Sequence, residues 1–173
     1  MRQAQGRTIG RGGALRLAEP LASETAGASL TDCAAVAPNA NITPKLSVER
    51  LAGTFPGDLG IRITDITDER VRGRMSVDRR HLHPMGYVHG GAWVAFADTI
   101  AAWGTLRHLP EGKGFTTVEL KMNVLASARA GDELSAIGEP LHVGSRTHVW
   151  EVRVFRDQGE RLSANFVCTQ IVL

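Results

Sequence analysis

Residues 83–99 read HPMGYVHGGAWVAFADT and contain the start of the segment that decides the fold of this chain. After His89-Gly90-Gly91, apolar residues continue with little interruption to His108, and the sequence Pro-Glu-Gly at 110–112 ends the pattern. We therefore predict one long α-helix from about His89 to His108. Its apolar side chains lie on nearly every side, so nearly every side must be buried. One curved sheet would cover one face, and a second copy of the chain could cover the rest.

One carboxylate, Asp98, interrupts this apolar run. Gly90 and Gly91 would offer backbone N–H groups at the positive end of the helix dipole, which favours developing negative charge. A carboxylate in an apolar helix is costly unless it is paired, here with Asn123 or Arg107, or used in a reaction. These features indicate a site for a carbonyl or an anion. Because eight residues of helix rise about 12 Å, Asp98 cannot serve a site built by Gly90 of its own chain.

Runs of alternating apolar residues on both sides of the helix predict β-strands. Two precede it, at 60–66 and 71–77, and four follow it, at 116–124, 133–141, 146–155 and 161–173. The 133–141 strand is expected to end near Pro140, and a short helix is expected at 46–52. A turn at Asp157-Gln158-Gly159 would join the last two strands. The order β-β-helix-β-β-β-β with short connections predicts an α+β domain with a largely antiparallel sheet.

The first strand after the helix shows the clearest alternation. Its residues at even-numbered positions are expected to share one face: Thr116, Val118, Leu120, Met122 and Val124.

The composition limits the class of protein. The chain has 173 residues, a net charge of +2 and 43 % hydrophobic residues, which suits one globular domain. Residues 1–45, rich in Gly, Ala, Ser and Pro, are predicted to form a disordered N-terminal extension ahead of a folded domain at 46–173. That domain has no basic excess for nucleic acid, and no apolar run reaches the ~20 residues of a membrane span. Cys33 and Cys168 match no disulfide or zinc framework, so a cytoplasmic location is expected.

The helix entry and the strand after it resemble a known family. His89-Gly90-Gly91, the acid at Asp98 and the sequence Thr-Thr-Val-Glu-Leu-Lys-Met-Asn at 116–123 are similar to the hot-dog-fold acyl-CoA thioesterases, especially the 4-hydroxybenzoyl-CoA and phenylacetate-pathway type. The resemblance covers about residues 50–173. It implies a curved antiparallel sheet around one long helix, and a homodimer or homotetramer with active sites shared between chains. It also implies hydrolysis of acyl-CoA to CoA and a carboxylic acid, without a metal or an organic cofactor.

The resemblance assigns roles to the residues at the helix entry. Gly90, with Gly91 beside it, would donate backbone N–H groups to the oxyanion of the reaction. Asp98 would be the nucleophile or the general base for water. His83 stands where the family usually has Asn or Gln, and would orient water or the thioester carbonyl. His89 would mainly support the loop that precedes the helix.

Further positions are candidates for substrate binding. Arg129 and Arg146 would bind the phosphates of CoA at the pocket mouth. Some relatives place Ser or Thr one helical turn after the acid. That position is Ala102 here, so Thr99 is the candidate for assisting Asp98. No metal site is predicted, because three nearby histidines have a spacing that fits no strong zinc pattern: His81, His83 and His89.

Two other functions remain open on the sequence. One is a non-catalytic acyl-CoA-binding module of the same fold, although binding alone does not require a buried acid. The other is a hydroxyacyl-thioester dehydratase, which pairs a loop histidine with a helix acid, as His83 and Asp98 permit. The acyl group is not fixed by the sequence, and aromatic, short-chain and medium-chain groups are all compatible with it.

Overall fold

A computed structural model describes residues 39–156 and 161–173. Within these ranges, a six-stranded sheet surrounds one long helix, as predicted. The helices are α1 (Pro44–Leu51), α2 (Phe55–Asp58) and α3 (Gly90–His108), and a 3-10 turn at Arg79–His81 precedes α3. The strands are β1 (Arg62–Ile66), β2 (Val71–Ser76), β3 (Phe115–Val124), β4 (Glu133–Val143), β5 (Thr147–Arg156) and β6 (Arg161–Val172).

The sheet has the order β1-β2-β4-β5-β6-β3, and every neighbouring pair is antiparallel. The predicted α+β class and the hot-dog arrangement are therefore confirmed. Strand β3 follows the helix in the chain but pairs with β6, the last strand. As a result, β1 and β3 form the two edges of the sheet.

Helix α3 fills the inside of the curved sheet. Trp93, Phe96 and Ile100 are buried in the main hydrophobic core. Gly73 and Gly138, in β2 and β4, allow the helix to lie close to the strands, because a Cβ at either position would clash with the Ile100 side chain. The sequence therefore provides both the bulky side chains of the helix and the space that receives them.

One stripe of α3 is less well covered than the rest. Val94, Ala95, Asp98 and Ala102 are all half-buried, and their spacing places them along one side of the helix. Asp98 contacts Thr117 of β3, so this stripe lies beside the edge strand. A mainly apolar stripe beside an open sheet edge is a surface that a further chain could cover.

The predicted face of strand β3 is correct for Leu120, Met122 and Val124, which lie opposite buried residues of β6, but it is wrong before them because the strand contains a bulge. Pairing with β6 shifts by one residue directly after Thr117. Thr117 and Leu120 lie opposite the buried Gln170 and Cys168, so both face α3. The extra residue reverses the alternation of side chains along the strand. Thr117, and not Thr116, therefore faces the helix.

Other boundaries differ by a few residues. Helix α1 begins at Pro44 because the Thr43 side chain caps it, accepting a hydrogen bond from the Leu46 N–H. Strand β4 continues past Pro140 to Val143, with a bulge between Pro140 and His142 that accommodates a residue lacking an N–H. The folded core also reaches Ile42, which is buried. The rest of the predicted extension, residues 1–38 with Cys33, and the predicted turn at 157–159 lie outside the described residues.

Among the helices described, none is long and apolar enough to cross a membrane.

Candidate active site

The entry of helix α3 is held by His89. Its ring Nδ1 accepts a hydrogen bond from the Gly91 N–H at 2.9 Å, which makes His89 the N-cap of the helix. Its own backbone N–H donates to the His81 carbonyl at 2.8 Å. His89 thus supports the loop before the helix, and it also uses one of the two glycine N–H groups.

The Gly90 N–H is the donor that remains available at this helix end. It has no acceptor within residues 39–156 and 161–173, and Gly90 is exposed. The N–H groups of Gly91 and Ala92 donate to the His89 ring and the His89 carbonyl. Because the first turn of a helix carries partial positive charge, the free Gly90 N–H is suited to an anionic oxygen. Of the two predicted oxyanion donors, the Gly91 N–H is already used by the His89 ring, and the Gly90 N–H stays the candidate.

Asp98 lies half-buried on the open stripe of α3. Its Oδ1 accepts a hydrogen bond from the Thr117 hydroxyl at 3.1 Å. Burial raises the pKa of the Asp98 carboxyl above its usual value, and the Thr117 hydrogen bond acts in the opposite direction. Arg107 binds Asp68 instead, with Nη2 and Oδ1 2.7 Å apart. Asp98 therefore has no cationic partner in the described part of the chain.

Gln170 of strand β6 contacts Thr117, the residue that donates to Asp98. The Gln170 Nε2 donates to the Thr117 Oγ1 at 3.2 Å, and Gln170 is fully buried. Thr99, the residue proposed to assist Asp98, donates its hydroxyl to the Ala95 carbonyl at 2.6 Å within the helix. The hydroxyl that donates to the Asp98 carboxylate therefore belongs to Thr117 of β3 and not to Thr99 of the helix.

His83 lines a cavity of about 360 Å³ beside the helix entry, together with Tyr87, Trp93 and Val124. Its Nδ1 accepts a hydrogen bond from the Met85 N–H at 3.1 Å. A neutral ring whose Nδ1 is an acceptor carries its hydrogen on Nε2. His83 can therefore offer an N–H donor, as the amide of Asn or Gln would.

The two predicted arginines lie at different ends of α3. Arg129 lies at the entry, where its guanidinium is 4.4 Å from the centre of the Tyr87 ring and donates to the Tyr87 hydroxyl. Arg146 is exposed just before β5, near the end of α3 at which His148 contacts Thr105. Within one chain, Arg129 is therefore near Gly90 and His83, whereas Arg146 is not.

Comparisons with known proteins identify the family of this chain. The sequence model of the thioesterase superfamily matches residues 85–163. The 1,4-dihydroxy-2-naphthoyl-CoA hydrolase of Escherichia coli is 31 % identical over 132 residues, which cover 74 % of this chain and 96 % of that protein. This chain belongs to the thioesterase superfamily.

Solved structures of other members have the same fold. A thioesterase of Haemophilus influenzae superimposes with a TM-score of 0.71 at 27 % identity, over 76 % of this chain and 90 % of the other. A hypothetical thioesterase of Streptococcus pneumoniae, solved with coenzyme A, gives a TM-score of 0.60 at 25 % identity, over 65 % and 85 % of the two chains. As a member of this superfamily, the chain is a thioester hydrolase.

Sequence reasoning missed three residues of this candidate site: Thr117, Gln170 and Tyr87. The sequence shows two adjacent threonines at 116–117, but strict alternation along the strand predicted that Thr116, and not Thr117, shares a face with Leu120. Gln170 lies far along the chain in a strand with poor alternation. Tyr87 is within the motif 83–99, and the Arg129 that stacks on it comes from a distant loop.

The histidines near the candidate site do not converge on one point. His81 is buried and contacts backbone groups, with its Nε2 2.7 Å from the Leu59 carbonyl oxygen. The described residues contain no group of three or more His, Cys, Asp or Glu side chains that could hold a metal ion. Cys168 is also unsuited to act as a nucleophile, because burial, reinforced by the nearby Asp98, raises the pKa of its thiol to about 12.

Proposed function

We propose that the chain hydrolyses acyl-CoA thioesters at a site shared between two copies, with Gly90 from one chain and Asp98 from the other. The observation that carries this proposal is that one continuous helix holds both groups. Eight residues of helix separate them by about 12 Å. A catalytic acid or base must lie within ~3 Å of the reacting group, or act through one water. A second copy supplies the missing half.

The edge strand β3 supports this pairing. It is one of the two open edges of the sheet, so its outer backbone groups can pair with another strand. Val118, Leu120 and Val124 on β3 are 50 %, 43 % and 47 % exposed. Antiparallel pairing of two β3 strands about a two-fold axis would join the sheets and cover the apolar stripe beside Asp98. The expected assembly is a homodimer, or a homotetramer built from two such dimers.

The chemistry follows from the groups at the two halves. The Gly90 N–H, at the helix entry of one chain, donates a hydrogen bond to the thioester carbonyl oxygen and stabilises the oxyanion. The Nε2–H of His83 beside it orients the water or that carbonyl. Asp98 of the other chain removes a proton from water as the water oxygen attacks the carbonyl carbon. The C–S bond then breaks, the proton passes to the departing sulfur, and the products are CoA thiol and a carboxylic acid.

A direct attack by the Asp98 carboxylate is the other form of this mechanism. It would give a mixed anhydride, which water then hydrolyses. Heavy oxygen in the Asp98 carboxyl group after a single turnover in heavy-oxygen water would identify Asp98 as the nucleophile, with water attacking the Asp98 carbonyl of the anhydride. Heavy oxygen only in the released acid fits general-base catalysis, and also an anhydride that water opens at the acyl carbonyl.

The CoA portion is expected to bind near Arg129. The guanidinium of Arg129 is stacked on Tyr87 at the mouth of the His83 cavity, and arginine suits phosphate well. The coenzyme A found in the Streptococcus pneumoniae structure supports a CoA ligand for this fold. Arg146 stays a predicted phosphate contact, which only the partner's site could use.

Replacing the carboxylate tests the reaction. Asp98→Asn should lower kcat for acyl-CoA hydrolysis by about 100-fold or more, since general bases contribute at least that much. Asp58→Asn makes the same chemical change on an exposed residue of α2 and should leave kcat unchanged. Free thiol release from a panel of aromatic, short-chain and medium-chain acyl-CoAs measures both variants. Full activity of Asp98→Asn would overturn the catalytic assignment, and binding without turnover by the wild type would indicate an acyl-CoA-binding module.

The dehydratase alternative requires a different product. It predicts hydration of an enoyl thioester without thiol release. Assaying the wild type for loss of the enoyl absorbance alongside thiol release distinguishes the two reactions, and we expect thiol release.

Mixing two inactive variants tests the shared site. Gly90→Pro removes the N–H at the first helical position, where proline is tolerated. After subunit exchange with Asp98→Asn, half of the dimers are mixed, and each mixed dimer has one site with both groups intact. About a quarter of wild-type activity should return. If each site belongs to a single chain, no activity will return.

A further inference from the structure

A group of buried polar residues lies between α3 and strands β3, β5 and β6, and the reaction above does not use it. In the described part of the chain, two buried side-chain atoms lack a hydrogen-bond partner: His148 Nε2 and Gln170 Oε1. They belong to residues directly opposite each other on β5 and β6. Buried polar atoms nearly always have a partner. Two unpartnered neighbours therefore indicate a common bond, either direct or through one ordered water.

The bonds on the β5 side determine which ring nitrogen of His148 carries the hydrogen. The Trp150 Nε1–H donates to the Thr105 Oγ1 at 2.9 Å. The Thr105 hydroxyl lies 3.2 Å from the His148 Nδ1, and its hydrogen is free to point there. With its Nδ1 accepting, a neutral His148 carries its hydrogen on Nε2. His148 thus presents a donor toward Gln170.

His148 is also held in the neutral form. Burial is the main cause that lowers the pKa of the His148 ring. The positive charges that His108 and His142 can carry lower it further, while the Gly144 carbonyl raises it. A neutral ring has one donor and one acceptor nitrogen, as this arrangement needs.

The orientation of the Gln170 amide then decides where the Thr117 hydrogen points. With its Oε1 toward His148, the Gln170 Nε2 donates to the Thr117 Oγ1 at 3.2 Å. The Thr117 hydroxyl is left to donate to the Asp98 Oδ1 at 3.1 Å. If the amide were reversed, its oxygen would take the Thr117 hydrogen and Asp98 would lose its donor. The hydrogen bonds therefore all point toward the carboxylate, an order in which each bond strengthens the next.

We propose that Thr105, His148 and Gln170 are positioning residues for Asp98, which act by fixing the Thr117 hydroxyl toward its carboxylate. One further hydrogen bond completes this series: His148 Nε2–H donates to Gln170 Oε1, directly or through one water. This inference rests on the proposed function of Asp98. It predicts a defined carboxylate orientation, and a carboxylate that stays ionised to lower pH than burial alone would allow.

Replacing His148 tests this series of hydrogen bonds at a residue that does not contact the reacting atoms. In His148→Phe the Gln170 amide can reverse, so kcat should fall about tenfold with little change in KM, as for the loss of one oriented hydrogen bond. The acid limb of the kcat–pH profile should move to higher pH, because the Thr117 bond that lowers the pKa of Asp98 is lost. His148→Gln retains an N–H donor and should restore part of both properties.

The matched control is Val154→Ala. Val154 is fully buried on the same strand and the same face as His148, and it belongs to the apolar core. This variant should lower the free energy of unfolding without moving the acid limb. If Val154→Ala moves the limb as His148→Phe does, or if neither variant moves it, the positioning role is wrong.

Two readouts separate this inference from the proposed function. Nitrogen NMR of the wild-type His148 ring should show the hydrogen on Nε2, and carboxyl NMR should show Asp98 titrating at higher pH in His148→Phe. Hydrogen on Nδ1, or an unchanged Asp98 titration, overturns the positioning chain even when Asp98→Asn is inactive. An active Asp98→Asn overturns the proposed function, while these NMR results still report whether the chain of bonds exists.

Discussion

The two ends of helix α3 differ in how far their polar groups are exposed. At the entry, Gly90 is exposed, its N–H has no acceptor among the described residues, and a cavity opens beside His83. At the other end, Thr105, His108 and the strand residue Trp150 are buried in close contact. The difference separates two tasks along one helix. The open end offers a donor for the substrate oxygen of the proposed reaction, and the closed end holds the helix to the sheet.

The largest expected effect is on catalysis at the open end. Gly90→Pro should lower kcat by about 100- to 1,000-fold, the usual cost of removing one oxyanion donor. The fold should tolerate the change, since the residue before it, His89, already has the extended conformation that proline prefers in its neighbour. Steady-state kinetics and the thermal midpoint, Tm, measure the two effects separately.

Gly90→Ala is the control for that change. It keeps the N–H, and an added Cβ at this position meets no atom within 4 Å. Its kcat should stay close to that of the wild type. An equal loss of kcat in both variants would mean that the space at Gly90 matters and its N–H does not.

The next largest effect is on stability at the closed end. A Cβ at Gly104 would clash with the Trp150 ring, which is held by its bond to Thr105. Gly104→Ala should therefore lower the free energy of unfolding by about 2 kcal/mol, despite the better helix propensity of alanine. The same substitution at Gly90 should change it by less than about 0.5 kcal/mol. Urea denaturation of the two variants compares the ends directly, and equal losses would contradict the distinction between them.

A smaller effect concerns Asp98, which lies between the two ends. Because burial raises the pKa of its carboxyl above the usual 3.8, the folded state binds the proton more tightly than the unfolded state does. The stabilising contribution is therefore complete below about pH 3.8 and is lost as the pH rises through the folded-state pKa. Asp98→Asn should raise Tm relative to wild type at pH 7.5, and the difference should shrink at pH 3.5. A gain that is independent of pH would point to a cause other than ionisation.

The smallest effect is expected at the surface of the closed end. The Arg107 side chain donates to the Asp68 carboxylate, which is half-exposed. Asp68→Asn should cost less than about 1 kcal/mol, because water and salt weaken such pairs. Urea midpoints at low and high salt should converge for the two proteins. A large loss that is insensitive to salt would show that the closed end depends on this ion pair.

The fold could be predicted because its signals are local and repeated. The apolar run after Gly91 spans a whole helix, and the surrounding strands alternate strongly enough to be recognised one by one. Errors occurred where a single residue changes the pattern. Thr43 caps helix α1 earlier than its apolar residues suggest, and a bulge carries β4 past Pro140.

The candidate site could be predicted only for the residues that lie close together in the sequence. His83, His89, Gly90 and Asp98 occur within one motif, so their relation along the helix follows from its rise. The hydrogen bonds that orient Asp98 come from residues of distant strands, which the motif does not contain. The use of the Gly91 N–H by the His89 ring depends on a side-chain conformation, and the Gln170 contact depends on strand register.

The bulge in strand β3 lets the strand contain one additional residue between Thr117, which contacts Asp98, and its apolar half. Thr117 and Leu120 are an odd number of positions apart, yet both face α3. In a regular strand, any register that directed Leu120 inward would direct Thr117 outward. Deleting Val118 would leave Thr117 and Leu120 two positions apart, so a regular strand would direct both side chains toward α3 and keep the contact with Asp98. In evolutionary terms, this edge strand can gain or lose one residue at the bulge while keeping both its apolar half and the hydroxyl beside the carboxylate.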